Sequence, residues 1–181
     1  MSADLAERFT AVLTRVFGRC ETVADLPAAT ARVQELIEEL DATVLAGSDA
    51  PEVTTVLAAL PGGGTRLPHD APREQLLAAD IGLTTAQLGI AETGTLVLES
   101  GREQHRLVSL LPKVHIALLP RSRLVGSLVD AFAHLSPSGG PPRARAITFI
   151  TGPSRTADIE LELVVGVHGP KQLIVLILDT L

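Results

Sequence analysis

Five short apolar runs, at residues 81–84, 95–100, 114–119, 146–151 and 173–178, constrain this chain more than any other feature. Each has the length of a strand, several are bounded by glycine or proline, and none alternates cleanly between apolar and polar side chains. An alternating strand keeps one face in water, whereas a strand without alternation is buried on both faces. Stretches of helical period separate the runs, so strands alternate with helices. The predicted fold is α/β, an open, mainly parallel sheet with helices on both faces. With 181 residues, 46% of them hydrophobic, the chain is large enough for one compact domain that buries roughly 70% of its unfolded surface.

The helical patterns are specific. Leu5, Phe9, Val12, Leu13 and Val16 follow Ser2 at helical spacing and Gly18 closes the pattern, which predicts a helix over residues 3–17. Residues 1–18 are a candidate docking arm ahead of a single domain spanning 19–181. Asp25 precedes a second apolar stripe from Leu26 to Leu40, and residues 43–46 read as a short strand ended by Gly47. Ser48, Asp49 and Pro51 open a third helix that runs into Pro61-Gly62-Gly63-Gly64. Residues 61–71 read as a loop, with the glycines a flexible linker. Pro72 then begins a helix through Ala79. Later helices are predicted over about residues 124–135, capped by Ser122, and about 158–165, with a surface loop at 136–145.

Composition excludes several functions. Fifteen Lys and Arg against 21 Asp and Glu give a net charge of −6, and Trp and Tyr are absent. No positive field attracts nucleic acid, and few aromatic platforms exist for bases to stack on. The longest fully apolar run, residues 173–178, is far below the ~20 residues of a membrane span. The single cysteine, Cys20, rules out an internal disulfide and an iron–sulfur cluster held by this chain alone. The first residues carry acids and no apolar core, so the chain is expected to be cytoplasmic. His69, His105 and His134 lack metal-ligand spacing, and no glycine-rich nucleotide fingerprint is present. No cofactor is expected in this chain.

Ligands of open α/β sheets bind outside the carboxyl ends of the strands, which directs attention to the polar segments between them. In one, Glu92-Thr93-Gly94-Thr95 joins a carboxylate and two hydroxyls to a glycine that permits close backbone approach. Glu92 is either a turn residue capping neighbouring amides or a catalytic carboxylate. In the other, Gly152, Ser154, Arg155 and Thr156 stand ahead of the helix predicted from about Asp158. Amide donors, a helix dipole and a forked cation would converge there on a carboxylate or phosphate. Alternatively, Ser154 or Thr156 caps that helix and Arg155 pairs with Asp158 or Glu160. His168, in His168-Gly169-Pro170, is either an imidazole at the sheet edge or a turn residue. His115 reads as a packed histidine satisfied by a backbone group, and Arg102, His105 and Arg106 read as a solvated basic loop.

Five ordered segments then carry a resemblance: Ala79-Asp80-Ile81-Gly82-Leu83-Thr84; residues 90–98; Ser109-Leu110-Leu111-Pro112 with Val114-His115-Ile116; residues 147–160; and Gly166-Val167-His168-Gly169-Pro170. Together they resemble the LUD-domain family, in its lactate utilization protein C group (LutC/YkgG), densely over about residues 79–181. The resemblance implies a fold like that of the NagB/RpiA/CoA-transferase superfamily. It also implies a part in oxidising L-lactate to pyruvate beside two iron–sulfur partner proteins. The chain departs from the family in the short, glycine-rich stretch from Gly62 to Asp70. Three readings follow. The first is an accessory or regulatory subunit holding a small carboxylate or phosphate between residues 92–95 and 152–158. The second is an acyl or CoA transferase-like enzyme with Glu92 as nucleophile. The third is an interaction module that docks through its N-terminal helix.

Overall fold

The central strands are the most apolar runs of the sequence. In the computed structural model, whose described residues are 2–101, 103–104, 106–136, 146–157, 163–165 and 169–181, β12 (Gln172–Leu178) lies against β7 (Val114–Pro120) in parallel register. β1 (Arg19–Val23) flanks β12. On the other side β7 pairs with β4 (Ile81–Thr85), β4 with β2 (Val44–Gly47), and β2 with β3 (Thr65–Leu67). The order β1-β12-β7-β4-β2-β3 is parallel throughout. Pleating divides the residues of each strand between two cores. Ile116, Leu118, Ile174 and Leu176 enter a core with α2 (Leu26–Glu39) and α3 (Pro51–Ala59). Ala117, Leu119, Val175 and Ile177 enter another with α1 (Ser2–Arg15). Non-alternation therefore means what the sequence implied, burial on both faces.

The second core is closed by a sheet that the sequence did not separate from the first. β8 (Leu124–Val125), β5 (Leu88–Ile90), β6 (Thr95–Glu99) and β9 (Ile147–Ile150) form it in that order, with β5–β6 and β6–β9 antiparallel. The runs at 95–100 and 146–151 belong here. Periodicity marks a strand as buried without naming its neighbour. On the outer side of this sheet lies α6 (Leu128–Leu135), whose Ala131 and Leu135 pack on Ile90 and Val97.

Several boundaries differ from expectation, each for a local reason. β1 escaped detection because it is a polar edge strand. The glycine-rich segment is not a free linker. Its Thr65–Leu67 is β3, and the Arg66 guanidinium donates to the carbonyls of Leu57, Leu60 and Pro61. The helix read over 124–135 begins at Leu128, after a 3-10 turn (Arg121–Arg123) and β8. Its cap is Ser127, not Ser122, because Ser127 and Asp130 form a reciprocal capping box. The helix read over 158–165 is corrected too. β10 (Arg155–Ala157) pairs antiparallel with β11 (Leu163–Val165), and residues 158–162 lie outside the described residues. A short helix, α5 (Arg106–Leu110), stands where a basic loop was expected; Arg102 and His105 lie outside the described residues, as do residues 137–145 of the surface loop expected over 136–145. Pro72 does precede a helix, α4 (Arg73–Ala78).

Two features tie the elements together. Phe9 and Leu13 of α1 are fully buried, so the apolar stripe of this helix is covered inside the molecule. Asp80, at the start of β4, accepts the backbone N–H groups of Thr43 and Val44 at 2.9 and 3.0 Å and the Lys113 ammonium at 2.8 Å. Burial pushes its carboxyl up, but the Lys113 charge and the two N–H donors outweigh that and hold it at about 2. Asp80 thus fastens the starts of β2, β4 and β7.

Candidate functional site

Besides a cleft at the carboxyl ends of the parallel strands, beside Asp25, Pro51 and Thr180, a cavity of about 210 Å³ borders the amino ends of β7 and β12. His115 and Leu173, each the second residue of its strand, contribute from the parallel sheet. Ser109 contributes from α5, and Thr151, Gly152 and Ser154 from the connection between β9 and β10. The second sheet accounts for the cavity at the amino end. It lies over the amino end and brings its own loop against the parallel strands, a contact that local sequence signals do not encode.

Both polar motifs singled out by sequence meet at this cavity, through hydroxyls. The β6–β9 register sets Leu96 opposite Ile150, which brings Thr95 and Thr151 side by side. Thr93 Oγ1 donates to Thr95 Oγ1 at 2.7 Å, and Thr95 Oγ1 lies 2.7 Å from Thr151 Oγ1. Ser154 is held by its backbone, whose N–H donates to the Pro170 carbonyl at 2.9 Å just before β12. The glycines of the motifs have another duty. Gly94 and Gly152 adopt φ of +63° and +77°, and both press against the end of α1. A Cβ on Gly94 would sit 2.6 Å from the Leu13 nitrogen, and one on Gly152 would collide with the Val16 carbonyl oxygen. Their permissive backbone admits the helix.

His115 is only 1% exposed, and its Nε2 lies 2.9 Å from Thr84 Oγ1. The partner of Nε2 is thus a side chain of β4. His115 pairs in register with Gly82, and Thr84, two residues along, falls on the same face of the sheet. Ser109 is buried nearby and donates from Oγ to the Arg106 carbonyl at 3.2 Å. Neither His115 nor Ser109 was singled out as a site residue, although both lie in segments that carry the family resemblance.

Other predicted residues do not join them. Glu92 is exposed, is not among the residues lining the cavity, and accepts the Leu128 N–H at 3.3 Å with Oε2. That is the turn-and-cap geometry, with a carboxylate placed where the α6 dipole favours it. Arg155 and Thr156 are described as backbone in β10, so the helix N-terminus that was to aim them at an anion is replaced by a strand. Asp158 and His168 lie outside the described residues.

Sequence reasoning also missed a buried carboxylate. Glu103, 3% exposed, accepts from Thr85 N–H at 2.8 Å, from the Thr85 hydroxyl, and from Gln87 Nε2 at 3.0 Å. Gln87 Oε1 in turn accepts the Glu99 N–H at 2.6 Å. This network pins the chain after β6 to the carboxyl end of β4. A glutamate between basic residues reads as surface, and only the long-range contact reveals its burial. Among the described residues, no cluster of His, Cys, Asp and Glu is arranged to hold a metal ion, and no helix is long and apolar enough to cross a membrane.

The LUD domain profile matches residues 6–178. Lactate utilization protein C from Halalkalibacterium halodurans is 50% identical over 99 residues, covering 54% of this chain and 43% of that protein. Its counterpart from Shouchella clausii is 44% identical over 107 residues, covering 59% and 47%. The matches thus span less than half the length of either relative. A crystal structure of a DUF162 family protein from Deinococcus radiodurans superposes with a TM-score of 0.71 over 99% of both chains at 22% identity. That likeness establishes the shared α/β fold.

Proposed function

The chain belongs to the LUD-domain family, and from that premise we propose that it serves lactate utilization, the role that the name of its relatives states for them. In this reading it is a cytoplasmic accessory subunit with no redox cofactor of its own. It binds a small carboxylate or phosphate in the cavity at the amino ends of β7 and β12 and works beside iron–sulfur partner proteins that carry the electrons. The meeting of the two motifs, where Thr95 of the first backs Thr151 of the second on the cavity wall, is the observation that carries the anion site. With one cysteine, the chain depends on partners for any thiolate-bound cluster. Deleting the gene is expected to abolish growth on L-lactate as sole carbon source, with recovery on complementation by this chain. Undiminished growth of the deletion strain overturns the lactate reading.

A second reading, a docking module, is favoured by the outer face of α6. Leu128, Val129 and Phe132 are exposed there, and the Phe132 ring lies 6.0 Å from that of Phe149, also exposed. Contiguous exposed apolar patches mark interaction surfaces. The stripe of α1, proposed from sequence for this role, is buried instead. Replacing Phe132 with Ser separates the readings. It is expected to reduce co-purification with iron–sulfur proteins if this face docks them, and to leave anion binding intact.

A further inference from the structure

The hydroxyls of Thr93, Thr95 and Thr151 form a directed chain. Thr93 Oγ1 donates to Thr95 Oγ1, and the next oxygen along, Thr151 Oγ1, is 2.7 Å from Thr95 Oγ1. Each hydroxyl has one proton to give. Thr95 is 5% exposed, so leaving its proton unbonded would strand a buried donor away from water. Its oxygen already receives the Thr93 proton, so its own proton goes to Thr151. Among the described residues the Thr151 proton then has no acceptor, and Thr151 lines the cavity.

We infer that Thr95 is a positioning residue, which holds Thr151 as a hydrogen-bond donor to a carboxylate oxygen of the ligand. This deepens the anion-site reading and rests on it. The surroundings narrow the ligand class. Among the described lining residues none is Asp or Glu, so no fixed negative charge opposes an anion. Leu110, Ile150 and Leu173 supply an apolar wall. Cavities of ~150 Å³ hold a six-carbon ring, so about 210 Å³ accepts a short-chain carboxylate. The structure therefore favours a small carboxylic acid with an apolar tail over inorganic phosphate, which has no use for that wall. Thr95 itself does not line the cavity. Its effect passes through Thr151.

Calorimetric titration with pyruvate, and with inorganic phosphate as a second probe, tests this on the wild type and on Thr151→Val, Thr95→Val and Thr95→Ser. Valine keeps the branched shape of threonine and replaces the hydroxyl with a methyl. Thr151→Val is expected to weaken pyruvate binding on the order of tenfold, the effect of losing one hydrogen bond to a charged group. Thr95→Val should weaken it about threefold to tenfold, with Thr95→Ser within about twofold of wild type. Phosphate should bind more weakly than pyruvate throughout. Equal affinity in Thr95→Val and wild type overturns the positioning role and leaves the anion site standing. Equal losses in Thr95→Val and Thr95→Ser also overturn it, by tracing the effect to packing. A wild type that binds neither probe removes the anion site itself. Should Thr95→Val fail to fold, Thr93→Val at the half-buried head of the chain is expected to weaken binding in the same direction, and unchanged affinity there overturns the relay.

Discussion

Replacing Asp80 with Asn removes a charge from the joint that fastens β2, β4 and β7, and the structure sets the size of the effect. Asp80 keeps its proton off down to about 2, against an ordinary 3.8. At ~1.4 kcal/mol per pH unit, that difference corresponds to at most about 2.5 kcal/mol of stability at neutral pH. The Asp80 side chain is 21% exposed and its Lys113 partner 61%, so solvent screening reduces the expected value to about 1–2 kcal/mol. Asparagine retains one acceptor for the Thr43 and Val44 N–H groups and loses the ion pair. A carboxyl depressed by folding contributes stability that is complete above its unfolded value and disappears as pH falls through its folded value. The gap between wild type and Asp80→Asn should therefore be full at pH 7 and narrow as pH falls from about 4 towards about 2. Urea unfolding of both proteins at pH 7, 4 and 2.5 measures it. In thermal melts at pH 7 the gap is expected to be roughly 3–6 °C for a chain of this size. A gap that stays constant across that pH range, or none at pH 7, refutes the assignment of Asp80 as an ionised clamp.

Gly152→Ala forces a Cβ towards the Val16 carbonyl at a positive φ, and is expected to cost about 2 kcal/mol or more and to speed amide exchange at the end of α1. Unchanged protection in α1 would show that the contact is dispensable. Glu92→Ala should lower stability by only about 0.3–1 kcal/mol through the α6 dipole and leave pyruvate binding intact; lost binding would return Glu92 to the site. Glu103→Ala leaves the Thr85 N–H and Gln87 amide buried without their acceptor, and is expected to lower stability by about 2–4 kcal/mol, measured by denaturant midpoint. A near-neutral result would mean that water replaces the carboxylate.

The sequence by itself determined that the central strands are buried on both faces. The run at 173–178 is apolar at every position and that at 114–119 at all but His115, because both faces of β7 and β12 are covered, and that property is local to the strand. Asp25 likewise marks the start of α2, since a cap acts within three residues and its carboxylate receives the Ala28 N–H. The threonines and glycines of residues 92–95 and 151–154 were legible as unusual chemistry for the same reason. What they do was decided elsewhere. Gly94 and Gly152 exist for the close approach of α1, which is distant in sequence. Glu92 turns towards α6, and Glu103 is buried only because Thr85 and Gln87 reach it across the fold. Period and composition report the environment of one element, whereas the partner of a strand, the helix that packs on a turn and the end of the sheet that holds a cavity are pairings between distant segments. Those pairings are settled by the joint packing of two sheets, which no single stretch of the chain encodes.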